Sequence, residues 1–439
     1  MKKALAMVLS AALALTMLAS CGEKPAASTP VESTPPASTP ADSKSEAKPS
    51  GEPVTLTYWS MWTAEEAQGK AIQEGVDAYM KNTGNTVKIE WKGRDIKTLI
   101  QAALDSKTEI DVFDGDFLDI ATKYGKQCLD LDAMAKAIDY DSYAIPVLPK
   151  TVREAAGSLK CIPYQPYTSG IFYNKAAFEK AKITAEPKTW AEFLDVCEKL
   201  KKAGYVPLAQ DDAYVNYTLG FLLARYIGQD GIKEVVNKGN WAENPSVLKA
   251  VEDIANLKAK GYLSKTAPDT FPEGQNEIGF EKAAMVVNAS WVPQEITNNT
   301  QCDIKWGMFN FPSVEGGKDP ATIANVGAQG MGIPEYSAHP QEAFDLIAFL
   351  TSGETDKKIA DGSNGIPADT RNTEWPALIA GCKDSFKALT GNYEWDCGLD
   401  IDPDIQGAIT DNIKKVFEGK SDAKAFVAAM EAVGTPKAK

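Results

Sequence analysis

The chain has 439 residues, and its 60 acidic against 46 basic side chains leave a formal net charge of −14. It lacks the basic surplus needed to displace the counterions of a polyphosphate, which excludes a nucleic-acid surface. Seven scattered cysteines without a C-x-x-C pair argue against zinc, and a single histidine, His339, leaves histidine-based nucleophilic catalysis only that one residue as a base.

Lys2 and Lys3 precede an apolar stretch, Ala4 to Met17, that is too short for a comfortable membrane span and reads as a secretory signal. Leu18, Ala19 and Ser20 before Cys21 resemble the lipobox of bacterial lipoproteins, in which the cysteine is lipidated and becomes the new N-terminus. Residues 1–20 are therefore expected to be removed. Residues 21–53 carry three Ser-Thr-Pro triplets and hardly any large apolar side chain, so they cannot bury enough surface to offset chain entropy and read as a disordered tether.

From residue 54 onward the chain is long enough for two domains. Val54 to Trp59 alternates as a strand, and Thr63-x-x-Glu66 has the signature of a helix start; that helix should stop at Asn82-Thr83-Gly84. Val87, Ile89 and Trp91 alternate again. Ile96, Leu99, Ile100, Ala103 and Leu104 recur at helical spacing, and Glu109 to Phe113 is a short buried strand. Strand, helix, strand, helix, strand implies a parallel sheet with right-handed crossovers, whose ligands sit beyond the carboxyl ends of the strands. Those ends carry Trp62, Asp114 and Asp116, with helix capping the plainer role for the two aspartates, Asp114 above all.

Further along, Pro187 to Glu192 opens a helix striped by Trp190, Phe193, Cys197 and Leu200. Ala283 to Asn288 is a strand followed by Ser290-Trp291, Glu342 to Leu350 is helical, and the chain from Ile405 to Val433 is mostly helical.

The fragments IPYQPYTSGIFYNKAAFEKA, PKTWAEFLDVCEKLKKAGYVPLA, FEKAAMVVNASW, EAFDLIAFLTS and NGIPA, in that order behind the lipobox, resemble the family 1 extracellular solute-binding proteins of ABC sugar importers. The resemblance implies a two-lobed periplasmic-binding-protein-like α/β fold, with hinge strands and a ligand cleft between lobes. Lobe 1 would be 54–162 plus about 288–340, and lobe 2 would be 163–287 plus about 341–439. It further implies a monomeric carbohydrate-binding protein, lipid-anchored outside the cell, that delivers its ligand to ABC permease subunits and needs no cofactor.

Aromatic rings suit the flat C–H face of a pyranose, and planar polar side chains suit its vicinal hydroxyls. By position in the family pattern, the residues expected to hold ligand are Trp62, Asp116, Tyr167, Tyr214, Asn216, Trp291, Gln329 and Trp395. Trp190 and Trp306 are better explained by packing. An anionic ligand would call for an arginine in the cleft, and of Arg94, Arg153, Arg225 and Arg371 only Arg94 lies near a strand end.

Two other readings start from acidic residues. Glu394 and Asp396 could serve as the acid and base of a secreted glycosidase. Asp400, Asp402 and Asp404 have the spacing of a calcium loop, but Ile405 stands where glycine is needed and Pro403 intrudes. Cys382 and Cys397 are close enough in sequence for a disulfide, which an exported protein permits without requiring.

Overall fold

The computed structural model describes residues 52–436; the signal stretch, Cys21 and the tether as far as Gly51 lie outside them. Among the described residues no helix is long and apolar enough to cross a membrane.

The strands are β1 (Thr55–Ser60), β2 (Thr86–Trp91), β3 (Val112–Asp116), β4 (Ile162–Asn174), β5 (Val206–Ala209), β6 (Ala283–Ala289), β7 (Trp306–Phe309), β8 (Ile323–Gly332) and β9 (Gly391–Tyr393). They hydrogen-bond in the order β2-β1-β3-β8-β4-β6-β5, with β7 on β4 and β9 on β8. β1 lies parallel to β2 and to β3, as the strand-helix-strand pattern requires. β8 returns antiparallel beside β3.

Two long strands join the halves of this two-lobed molecule. β4 pairs with β8 through Ile162, Pro163 and Tyr164, then shifts register before Tyr167. The irregularity falls at Gln165, whose φ of 48° lies in the left-handed region. Beyond it, Ser169 to Tyr173 pair with β6 and Ile171 to Asn174 with β7, so one strand serves both halves.

Side-chain alternation assigns the cores. Ile171 and Tyr173 enter the core that contains Met285 and Val287, whereas Phe172 and Val286 enter the other. The first core fills the β1–β3 half and continues onto one face of β4 and β6. The second lies between the opposite face and the helices Trp190–Lys202, Val215–Lys238, Pro245–Ala259, Pro403–Phe417 and Ala423–Val433.

The packing corrects the expected lobe limits. Helices Pro340–Leu350 and Gly353–Ser363 pack on helix Ala67–Thr83, in the first half rather than with lobe 2. The approach at Gly75 is close: a Cβ there would meet Thr355 Cγ2 at 2.5 Å. Helix Val292–Thr300 and β7, expected in lobe 1, send Val292, Ile296, Trp306 and Met308 into the first core, while also packing on Glu273–Gly279 and pairing with the second half of β4. Residues such as Ile171, Phe193, Phe221 and Ile254 follow the expected assignment to the second core, and of the stretch from 341 so do Tyr393, Cys397, Leu399 and the helices from Pro403 onward.

Local signals fared unevenly. Thr189 and Glu192 form a full capping box at the start of Trp190–Lys202. At Thr63 only half of one forms: the Thr63 N–H donates to Glu66 Oε2 at 2.7 Å, and the helix begins at Ala67 without a side-chain cap. Leu99, placed on the buried stripe, is 44% exposed because the inner face runs through Ile96, Ile100, Ala103 and Leu104.

Candidate ligand-binding site

At the carboxyl ends of β1 and β3 a buried carboxylate gathers the chain around it. Asp114 accepts from the Tyr58 hydroxyl, from Ser60 Oγ at 3.1 Å, from Tyr164 Oη at 2.9 Å and from the Met61 backbone N–H. It caps no helix, contrary to expectation; that role falls to Asp116, whose Oδ1 accepts the N–H groups of Leu118 and Asp119 at 2.9 and 3.0 Å. Burial pushes the Asp114 carboxyl up to about 6, against four hydrogen bonds that pull it down. Trp62 joins the same network through Nε1, which donates to Tyr164 Oη at 2.8 Å, while the Arg94 guanidinium lies 4.5 Å over its ring. Tyr164 sits on β4 just before its irregularity, so the network ties the first half to the connecting strand.

Past that irregularity a run of rings begins. Tyr167 meets Trp291 edge-on at 5.2 Å between centroids, and Trp291 stacks on Trp395 at 6.1 Å with 23° between planes. Trp395 stacks on Tyr217 at 4.8 Å, Tyr217 meets Tyr214 at 6.1 Å, and Tyr214 meets Phe271 at 5.9 Å. Trp395 is 37% exposed and Phe271 41%, so the run is open to solvent. Tyr167 is fixed by its opposite number: a Cβ on Gly327 of β8 would lie 2.2 Å from Tyr167 Cζ, so only glycine lets the ring lie there.

A polar chain backs the rings. Trp291 precedes helix Val292–Thr300, and the Glu295 N–H donates to Trp291 O at 3.1 Å, placing the two side chains one turn apart. Gln275 Nε2 donates to Glu295 Oε2 at 3.0 Å, and Asn288 Nδ2 donates to Gln275 Oε1 at 3.2 Å. The Tyr214 hydroxyl lies against Trp291 and Asn288; burial raises its pKa, with the Glu295 charge adding to the effect. Asp211 caps helix Glu273–Gly279 by accepting from the Gly274 and Gln275 N–H groups, and burial pushes its carboxyl up to about 7.

Of the eight residues anticipated, the structure brings Tyr167, Tyr214, Trp291 and Trp395 into one assembly. Trp62 is buried and hydrogen-bonded in the Asp114 network. Asp116 stands at the end of β3 opposite Gln329 of β8, whose Oε1 has no protein partner among the described residues. Asn216 is turned to packing, its Nδ2 donating to Thr410 Oγ1 at 2.7 Å. Tyr217, Phe271, Gln275, Asn288 and Glu295 were missed. Tyr217 follows Tyr214 by three residues at the start of a helix, and Glu295 follows Trp291 by four; both spacings were visible in the sequence.

A cavity of ≈710 Å³ between the halves is lined by Leu118, Thr122 and Thr151 from the first and by Gln229, Tyr393 and Glu394 from the second, and none of the eight anticipated residues lines it. Leu118 lies two residues from Asp116, and Glu394 is next to Trp395.

Of the acidic residues behind the other readings, Glu394 and Asp402 are engaged elsewhere. Glu394 forms an ion pair with Lys233 at 2.6 Å. Asp402 caps helix Pro403–Phe417 by accepting from the Asp404 and Ile405 N–H groups at 3.0 and 3.2 Å. Among the described residues, Cys382 and Cys397 are both free, buried in different cores.

Two α/β halves joined by long shared strands, with an aromatic wall and a cavity between them, define a binding protein of the hinged, cleft-forming class. Residues 63–357 match the family model described as bacterial extracellular solute-binding protein, and the chain belongs to that family. A probable ABC transporter-binding protein of Deinococcus radiodurans is 25% identical over 330 residues, covering 70% of this chain and 74% of its own. The multiple sugar-binding protein of Streptococcus mutans is 26% identical over 214 residues, 46% of this chain and 49% of that protein. Among solved structures, a probable secreted solute-binding lipoprotein from Streptomyces coelicolor superposes with a TM-score of 0.71 at 16% identity, covering 86% of this chain and 98% of that one.

Proposed function

We propose that this protein is a monomeric, lipid-anchored receptor that captures a sugar or oligosaccharide outside the cell and hands it to ABC permease subunits, doing no chemistry on its ligand. The observation that carries the reading is the stacked pair Trp291 and Trp395, with Tyr167 edge-on, at the place where β4 passes between the halves. Flat ring faces beside planar amides and carboxylates suit a pyranose, which offers an apolar face and a rim of hydroxyls. Asp116 and Gln329 complete the site as the two halves close, with Trp62 and Asn216 supporting it from the bonds they make to Tyr164 and Thr410, and ligand stabilises the state making contacts with both halves. The naming of the Streptococcus mutans relative for multiple sugars supports the ligand class, and that of the Streptomyces coelicolor structure as a lipoprotein supports the anchor at Cys21. The engagement of Glu394 by Lys233 supports binding without hydrolysis.

A thermal-shift screen over mono- and oligosaccharides, followed by calorimetry and a reducing-end assay on the hits, tests this. The expected result is a saturable rise in melting temperature with no new reducing ends. Turnover of the sugar, or no shift with any carbohydrate, overturns it.

A further inference from the structure

Three carboxylates stand around the aromatic wall with half of their acceptor capacity unused. Asp116 Oδ1 takes two backbone N–H groups, Glu295 Oε2 takes Gln275, and Asp396 Oδ2 takes Gln406 Nε2 at 3.1 Å. The other oxygen of each has no hydrogen-bond partner among the described residues, and none of the three has an ion-pair partner there. Burial raises the hydroxyls of Tyr167, Tyr214 and Tyr217, and the charges of Asp116, Glu295 and Asp396 respectively add to the effect. Positions agree with this. Glu295 is one helical turn from Trp291, Asp396 directly follows Trp395, and Asp116 pairs across β8 with Gln329, two residues from the glycine under the Tyr167 ring.

The four arginines are committed elsewhere. Arg94 is paired with Glu66, Arg153 with Asp132 and Asp141, and Arg371 with Asp369; Arg225 is fully buried on Phe311 O, Ile323 O and Tyr393 Oη. Lys97 lines the same small pocket as Asp116, and its charge lowers the Asp116 carboxyl against the larger effect of burial. Burial correspondingly raises the pKa of Asp116, of Glu295 and of Asp396, the last to about 6.

We propose that the ligand of this site is a polyhydroxyl compound bearing a protonated amine, an amino sugar, and that Asp116, Glu295 and Asp396 set that preference and turn away phosphate and carboxylate esters. The inference rests on the sugar-binding reading above. An ammonium group supplies the donors that the free carboxylate oxygens lack, and it is attracted to the faces of Trp and Tyr rings. An anion there would meet uncompensated negative charge in a partly desolvated place.

Calorimetry on the mature protein at pH 6 tests this with three probes: the glucosamine disaccharide, its N,N′-diacetylated counterpart and a phosphorylated sugar. The free amine is expected to bind at least tenfold more tightly than the acetylated form, with no heat from the phosphate. In Glu295→Gln and Asp116→Asn, which keep the Gln275 bond and the helix cap, the ratio of the two affinities should fall toward one. Equal or tighter binding of the acetylated or phosphorylated sugar, or an unchanged ratio in both variants, overturns the inference and leaves sugar binding standing. Failure of these probes and of neutral oligosaccharides alike overturns the proposed function itself.

Discussion

The indoles of Trp291 and Trp395 stack at 6.1 Å although 104 residues separate them in the chain, one following β6 and the other following β9. Each is also held from behind, Trp291 by the edge of Tyr167 and Trp395 by the face of Tyr217. Removing one ring therefore takes away ligand contact more than core. Trp291→Ala is expected to weaken sugar binding by about 1–3 kcal/mol, the scale of a buried aromatic contact, with a melting temperature close to that of the parent. Calorimetry with the best carbohydrate from the screen checks it; unchanged affinity removes Trp291 from the site.

Asp114 makes stability depend on pH in an unusual direction. Its carboxyl is raised from 3.8 to about 6 by burial, so between those values the folded state binds the extra proton and the unfolded chain does not. Its contribution is then greatest in acid and is lost as pH rises from about 4 through about 6, by up to about 3 kcal/mol. Asp114→Asn, which cannot ionise, should flatten this part of the profile. Urea midpoints measured from pH 4 to pH 7.5 provide the comparison, and a variant whose slope matches the parent would contradict the assignment.

The legible parts of this fold were those governed by short-range patterns. The βαβαβ start and the Thr189 capping box follow from residues a few positions apart, and both are present. Lobe membership was not legible, because Gly75 and Thr355 meet over 280 residues through a close approach that no local pattern announces. Within the site, four of the five rings anticipated by family position came together, Trp62 excepted, and of the two aspartates weighed as helix caps only Asp116 is one. The choice depended on which side chain the strand pleat turned inward: Asp114 is 1% exposed, toward Tyr58 and Tyr164, and Asp116 is left at the strand end to cap. Glu295 escaped notice since nothing in sequence links it to Gln275 and Asn288.

Asp402 distinguishes a helix cap from a metal ligand. Its carboxylate accepts two N–H groups at the first turn of Pro403–Phe417, and no cluster of metal-binding side chains occurs among the described residues. Asp402→Ala should cost about 1 kcal/mol of stability in urea unfolding, the usual value of an N-cap. Millimolar calcium should leave the melting temperature of both proteins unchanged. A calcium-dependent rise that disappears in the variant would return the acidic stretch to consideration as a metal site.

Gly327 is the position where backbone and binding surface are most tightly coupled. It faces Tyr167 across the β4–β8 pairing, and a methyl group there would lie 2.2 Å from the ring carbon Cζ. Its backbone is extended, so the cost of a side chain is steric rather than conformational. Gly327→Ala should push Tyr167 away from Trp291, lowering both melting temperature and sugar affinity. If the clash with the ring is the cause, adding Tyr167→Ala to Gly327→Ala should recover part of the lost stability while affinity stays low. The coupling energy in this double-mutant cycle is expected to be about 1 kcal/mol or more, as for residues in direct contact. Strict additivity of the two changes would show that Gly327 is needed for some reason other than the ring.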